Sequence, residues 1–435
     1  MCSIPKVRLP LSTGTDFDFE GGDITSDAGV ILVNEFCTAI GLQEALRKHL
    51  EAHPMREYDD WRVAYQRVIM LVAGYLRDVD AERLGEDPAF AHVLGGVASQ
   101  PTLSRRLSSM GESDGELLRL AIREVQRNVA RVAPGREFVV VDVDSTLAPT
   151  FGRKQEGSAF NYHYQAEGYH PLVATDTLRR ECIDVRLREG TDYCSKGSGP
   201  FIERVLDDVA GREPRARIGL RGDSGFAAPE VYLACEKRKV TYAVRPRLNR
   251  TLARKALART RGVFRPGVAR TFTGEFTYRA GSRYWRRRVV FEAVQHEGQL
   301  FPEFTFVVTN SDARSCRVME YYRGRGEMEQ IIGEVKELSR GCVCSKSMDA
   351  NDFRCQLAML AHSVLSWMRM LCLGGEHASD EPRTIVWEFV RIGARRVVHG
   401  RRTCFHISSA YARREQFFRA VVRCDEVARE LAGAA

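Results

Sequence analysis

The chain has 435 residues, 44% hydrophobic and 28% charged, ordinary values for a soluble globular protein with room for two or three cores. No apolar run reaches the roughly 18 residues of a membrane span, and the N-terminus carries no apolar signal core. A membrane or secreted protein is therefore not expected; a cytoplasmic one is. The net charge is only +8, but residues 237–288 hold 17 Lys and Arg against one acid, Glu275, which leaves −8 for the remainder. A concentrated cationic segment interleaved with Phe264, Phe272, Phe276, Tyr278, Tyr284 and Trp285 points to nucleic acid, against the alternative of a merely basic surface. The twelve Cys include no CxxC, and the tight pair Cys342 and Cys344 has no second pair, so a finger-type zinc site is not expected.

In chain order, residues 1–24 read as an arm or short strand, and 25 to about 130 read as helices. Thr25-Ser26-Asp27 offers caps, and 58–76 has apolar residues at helical spacing. In ASQPTLSRRLSSM, Ser99 can cap a helix opened by Pro101, from which Arg105 and Arg106 would project. This is either a DNA-reading helix or an ordinary surface helix. After Pro134-Gly135 the pattern turns to strands. EFVVVDVDSTL (137–147) is a near-continuous apolar run, as in a strand buried on both faces. Strands follow at 159–165, 171–178 and 179–190, then a helix at 198–211. A strand over 215–226 breaks at Gly222; a helix at 229–239 and a strand after it complete a mixed-sheet α/β core. Residues 248–315 read as a basic, mostly β insertion, after which the core resumes with a helix over 321–338 and a long apolar helix over 351–373. The implied organisation is an all-helical N-terminal region (1–132), a core in two parts (133–247 and 316–375), the insertion (248–315) and a basic C-terminal region (376–435).

On a wheel of 100° per residue, with Tyr322 at zero, Arg325 falls at about −60°, Glu329 at about −20° and Lys336 at about −40°. A phenol, two cations and one carboxylate thus share a ridge opposite Ile331, Val335 and Leu338. The ridge is either a solvated face with an Arg–Glu pair or a phosphate-handling face containing one acid. Further acids sit at the ends of core strands: Asp144, with Asp142 on the same face two residues earlier, and Asp223 in RGDSGF. A carboxylate in an apolar strand needs a partner, and a divalent metal is one. Asp142 remains an alternative to Asp144, or a buried hydrogen-bonding residue.

Tyr322-x2-Arg325-x3-Glu329-x6-Lys336, together with DVDST at Asp144 and RGDSGF at Asp223, resembles the signature of a large group of bacterial insertion-sequence DDE transposases. The similarity extends to TSDAGVILVNEF, DAERLGEDPAFAHVLG and RIGARRVV. The resemblance implies an RNase H-like catalytic core, with Asp144, Asp223 and Glu329 as catalytic ligands of two Mg²⁺ ions, Mn²⁺ being a substitute. It implies Tyr322, Arg325 and Lys336 as phosphate contacts, and Trp285 as an aromatic that stacks on a flipped base, an ordinary core Trp being the alternative. Arg286, Arg287 and Arg288 beside it suggest a DNA-facing strand. The implied partners are the terminal inverted repeats and target DNA, with a homodimer in synapsis. The readings that compete with a transposase are a metal-dependent nuclease without strand joining and a decayed DNA-binding repressor.

Overall fold

The computed structural model describes residues 7–8, 16–50, 58–151, 154–279 and 286–433. Trp285 lies outside these residues. The chain forms two compact units, one of Met1–Leu107 with Met368–Ala435, the other of Ser108–Trp367. Among the described residues, no helix is long and apolar enough to cross a membrane.

The first unit is helical, with helices Val30–Ala39, Leu42–His49, Asp60–Val72, Pro88–Leu94 and Gln100–Ser108 joined by the C-terminal helix Arg414–Gly433. Asp87 illustrates the local logic: its carboxylate accepts from the N–H groups of Ala89 and Phe90 at 2.9 and 3.1 Å, and Pro88 takes the first turn. The chain's two ends are stitched together by backbone. Ala28 and Gly29 donate to the carbonyls of Ile392 and Val390 at 2.9 and 3.0 Å, and Ile24–Thr25 pairs with Ala394 and Arg395. Gly29 is required there, since a Cβ would lie 1.9 Å from the Phe389 carbonyl. The basic tail therefore builds one unit with the N-terminal helices, completed by the hairpin Ala394–His399 and Arg402–Ile407.

The second unit is built on one eight-stranded sheet. Its strands are β1 (Phe138–Ser145), β2 (Leu172–Asp176), β3 (Glu181–Arg186), β4 (Arg217–Gly222), β5 (Thr241–Val244), β6 (Arg270–Tyr278), β7 (Arg287–Gln295) and β8 (Glu303–Thr309). Their spatial order is β6-β7-β8-β5-β4-β1-β2-β3, with β1, β4 and β5 parallel and the other pairings antiparallel. The helices are α1 (Glu112–Val132), α2 (Ser198–Arg212), α3 (Pro229–Lys237), α4 (Arg250–Arg259), α5 (Ser315–Arg323), α6 (Gly326–Leu338) and α7 (Met348–Met368). Helix α1 falls in this unit, although the sequence reading ended the N-terminal region only at 132.

Alternation along β1 sorts its side chains. Val139, Val141 and Val143 enter a core with Phe201 and Val205 of α2 and Val231 of α3. The same core continues through Phe276, Phe291 and Phe306, so the 248–315 segment extends the central sheet through the β5–β8 pairing. That segment, expected to be mostly β, opens with a helix, α4; Asn249 caps it by accepting from the Leu252 N–H at 2.9 Å. Helix α7 packs on β3, where Ser363 Oγ accepts from the Cys182 N–H at 3.2 Å and the Trp367 indole donates to Glu181.

Candidate active site

Three parallel strands share one row near their carboxyl ends. Val143 of β1 is in register with Gly222 of β4, and Gly222 with Val244 of β5. The next residues along these strands are Asp144, Asp223 and Arg245. The sheet thus sets two carboxylates and a guanidinium side by side at its carboxyl edge, about 4.8 Å per strand apart.

Asp142 and Asp144 share a face of β1 but meet different fates. Asp142 is 0% exposed and Arg221, opposite it on β4, is 4% exposed. Arg221 donates from Nε and Nη2 to the two Asp142 oxygens at 2.8 and 2.5 Å, and the Thr177 hydroxyl donates to the same carboxylate. Burial pushes the Asp142 carboxyl up, and Arg221 and Thr177 oppose that. Both Asp142 oxygens are therefore engaged in a buried ion pair, whereas Asp144 stands at the strand edge beside Asp223.

The third Arg221 bond shapes the helix above. Its Nη1 donates to the Tyr321 carbonyl at 2.8 Å. In a continuous helix that carbonyl would accept from the Arg325 N–H. Arg325 N–H turns instead to the Tyr322 carbonyl at 3.1 Å, and the helix breaks between α5 and α6 at Gly324-Arg325. Gly324 fits because a Cβ there would lie 2.5 Å from Arg221 Nη1. The single helix expected over 321–338 is thus two helices. The wheel that aligned Tyr322 with Glu329 and Lys336 does not run unbroken across the join.

The break aims Arg325 at the strand ends. Its Nη2 lies 2.6 Å from Asp144 Oδ2, while Asp144 Oδ1 accepts from the Ser145 N–H at 2.8 Å. Asp223 Oδ1 accepts from the Gly225 N–H at 2.9 Å, which starts a 3₁₀ turn. Burial raises the Asp144 carboxyl; Arg325 opposes this and the neighbouring Asp223 charge reinforces it. Burial likewise raises the Tyr322 phenol, with Arg325 and Arg245 opposing and Asp223 and Asp144 adding. Burial lowers the Lys336 ammonium, and Asp144 opposes that. Lys336 borders a pocket of about 460 Å³ with mostly apolar walls, among them Pro171, Val173, Ile332 and Val335. Tyr164 also belongs here. Its hydroxyl donates to the Ser145 carbonyl at 3.0 Å, and burial first, then Asp144, Cys194 and Asp223, push it up to about 12.

Asp144, Asp223, Tyr322, Arg325 and Lys336 are thus one electrostatic group. Glu329 is exposed on the first turn of α6, and the carboxylates of Asp144, Asp223 and Glu329 do not all lie within 4.8 Å of one another. Glu334, also on α6, is taken by His362 at 2.9 Å and Arg180 at 2.5 Å. Of the basic residues singled out in sequence, Arg286 and Arg105 are exposed. Arg287 instead pairs with Glu236 at 3.1 Å and lies over the Tyr232 ring, Arg288 pairs with Glu275, and Arg106 pairs with Asp60. These three are spent within the fold because each faces an acid that sequence does not show to be near. Sequence reading missed Arg221, Tyr164 and Arg245. Only Arg245 had a signal, as the first residue after an apolar strand parallel to the one ending at Asp223.

The profile of the family described as Transposase DDE domain group 1 matches residues 12–428. The chain belongs to this DDE transposase family. No curated protein matches the sequence. Among solved structures, the chain is similar to the piggyBac transposase synaptic complex with hairpin DNA, with 11% identity over 84% of this chain and 80% of that one and a TM-score of 0.43. It is also similar to the Mos1 transposase paired-end complex with left transposon end, with 14% identity over 45% of this chain and 60% of that one and a TM-score of 0.18.

A DDE transposase domain implies divalent metal. Asp144 and Asp223 fit such an ion, because the Asp223 charge beside Asp144 helps to raise the Asp144 carboxyl, and a dication relieves that repulsion.

Proposed function

We propose that this chain is a Mg²⁺-dependent transposase with an RNase H-like core. In this reading it binds the terminal inverted repeats of its element, cleaves the phosphodiester at each end, and joins the 3′-hydroxyl to target DNA. The observation that carries the reading is the contact of Arg325 with Asp144 beside Asp223. It sets a guanidinium, a group suited to phosphate, against a carboxylate, a group suited to a metal ion, at one strand edge.

Asp144, Asp223 and Glu329 would hold the ions. What Mg²⁺ supplies when bound is activation of the attacking water or 3′-hydroxyl and stabilisation of the leaving oxygen. The chain's own groups do the rest. Arg325 offers a planar fork to a phosphate, Lys336 a point charge from the pocket rim, and the Tyr322 phenol, kept neutral by its raised proton affinity, a hydrogen bond. The exposed Arg247, Arg250, Arg254, Arg259 and Arg261 follow Arg245 in the chain and provide a cationic surface for the duplex. Partnership as a homodimer in synapsis belongs to the same reading.

The test is a cleavage assay on a labelled duplex carrying the inverted repeat that flanks the gene, comparing wild type with Glu329→Gln in Mg²⁺ and in EDTA. Mg²⁺-dependent nicking at the repeat boundary is expected for wild type, with retained binding and no cutting for the variant. Target plasmid added to the same reaction reports joining. If both proteins bind the end and neither cuts with Mg²⁺ or Mn²⁺, the catalytic reading is wrong.

A further inference from the structure

The first unit carries a basic ribbon of its own. Residues 389–414 contain seven Arg and two His and no acid. Four of these arginines and both histidines lie in the hairpin of Ala394–His399 and Arg402–Ile407, closed by the two-residue loop Gly400-Arg401. Gly400 takes a φ of +59°, the positive value that a tight loop with glycine in first place requires.

The register sorts the hairpin into two faces, because directly paired residues share a side. Arg395 with His406, Val397 with Cys404, and His399 with Arg402 form one face; Ala394 with Ile407, Arg396 with Phe405, and Val398 with Thr403 form the other. The second face is seated on the unit. Ala394 is buried, Arg396 pairs with Asp23 at 2.7 Å, and Phe405 lies 5.5 Å from the His92 ring between centroids. The first face is open. Arg395, His399, Arg402, Cys404 and His406 are all exposed, and so is Arg401 at the tip. Among the described residues, Arg395, Arg401 and Arg402 make no ion pair. Near the tip even the seated face is bare, with Val398 57% exposed, so the end of the ribbon protrudes.

We propose that the open face of this hairpin is a contact surface for duplex DNA, the ribbon lying along the major groove. The proposal rests on the reading of the chain as a transposase and adds a DNA contact in the first unit to the site in the second. The major groove of B-DNA, about 12 Å wide, admits a two-stranded ribbon, whereas the deep, narrow groove of an RNA duplex does not. Arg395, Arg401 and Arg402 would meet phosphates or guanine edges, and Val397 between them offers the apolar contact that a thymine methyl accepts. The competing account is a solvated basic surface. A surface that serves solubility mixes both signs of charge, but this stretch runs for 26 residues without an acid, and its charges repel one another until a polyanion meets them.

The test uses the full-length chain in EDTA, so that binding is read without cutting. Cys404, exposed at the middle of the open face, is a built-in probe, its alkylation by a maleimide followed by peptide mass spectrometry. Saturating inverted-repeat duplex should slow that alkylation roughly 10-fold or more, and an RNA duplex of the same sequence should not. In parallel, labelled duplex is titrated with wild type and with the triple variant Arg395→Ala, Arg401→Ala, Arg402→Ala, whose fold is checked by near-UV circular dichroism. The variant should bind roughly 10-fold or more weakly, and the slope of log K against log salt should shrink by up to about 2.7, at 0.9 for each lost phosphate contact. An unprotected Cys404, or a folded variant that binds like wild type, overturns the proposal, and equal protection by RNA overturns the groove assignment. If the variant does not fold, Cys404 protection decides alone. Protected Cys404 in a chain that cuts no DNA with Mg²⁺ or Mn²⁺ would sink the transposase reading and leave this one standing; cutting with Cys404 unprotected would do the reverse. A wild-type chain that binds no duplex overturns both.

Discussion

Arg221→Met tests the chain of contacts from the sheet to the helix break. The substitution keeps an unbranched apolar stem and removes the guanidinium. Asp142, 0% exposed, then loses a two-pronged partner at 2.8 and 2.5 Å, and the Tyr321 carbonyl loses a donor at 2.8 Å. Removing one partner of a buried ion pair costs about 3–5 kcal/mol, and an abandoned carbonyl adds about 1 kcal/mol. Urea unfolding followed by tryptophan fluorescence should show the second unit destabilised by about 4–6 kcal/mol. Replacing both partners, Asp142→Leu with Arg221→Met, should recover most of that loss, because apolar substitutes for a whole buried pair are often neutral. Cleavage of the end duplex should not recover with it. The double variant still lacks the bond that ends α5 before Arg325, so Arg325 is no longer held against Asp144. If Arg221→Met unfolds like wild type, the buried pair does not carry the stability assigned to it. If the stable double variant cleaves like wild type, the pair does not position Arg325.

Other consequences are separable. Gly324→Ala should destabilise by about 1–3 kcal/mol in the same urea assay, because the new Cβ would lie 2.5 Å from a guanidinium pinned at three atoms; Gly324 has an ordinary helical φ of −58°, so no backbone strain contributes. Glu334 and Asp144 should respond to pH with opposite signs. Burial raises the Glu334 carboxyl, but His362 and Arg180 outweigh it and hold it below its ordinary 4.5. Its stabilisation is present above that value and lost as pH falls through the folded-state value, so Glu334→Gln should melt below wild type at pH 7.5 and converge with it in acid. Burial and Asp223 hold Asp144 above its ordinary 3.8, so the folded state gains from the proton and loses that gain as pH rises. Asp144→Asn should therefore melt above wild type near neutrality, with the gap closing toward pH 4, in a pH series of melting curves. A wild-type advantage at neutrality would show that the Arg325 pair outweighs burial.

How much of this was legible in sequence depended on how far apart in the chain the causes lie. The strand ending at Asp144 could be read because its apolar run and its acids are local, and the break at Gly222 before Asp223 announces itself by composition. The break at Gly324 could not. A glycine inside a helical pattern is tolerated, and what makes this one a boundary is Arg221, about a hundred residues earlier, reaching the Tyr321 carbonyl. The basic segment shows the same limit. Its charge is visible, but that Arg287 meets Glu236 and Arg288 meets Glu275 depends on strand and helix neighbours. Nor does anything local in residues 383–407 indicate that they return to pair with Ile24–Thr25.

The charges at the sheet edge also constrain how the site can be filled. Asp144 and Asp223 lie beside Arg325 and Lys336, so two carboxylates meet two cations before any ligand arrives. On the proposed reading, a phosphate alone would draw Arg325 from Asp144 and leave two adjacent carboxylates uncompensated. A dication alone would compete with Arg325 for the same Asp144 oxygen, which lies 2.6 Å from its Nη2. The two ligands together exchange one ion pair for two, with the phosphate taking Arg325 and the dication taking the acids. Each should then bind more tightly in the presence of the other, and by thermodynamic reciprocity the factor is the same from either side. On the same reading, such a site would not hold its metal firmly until a DNA end is present, and the single guanidinium of Arg325, on the last residue before α6, would provide that coupling.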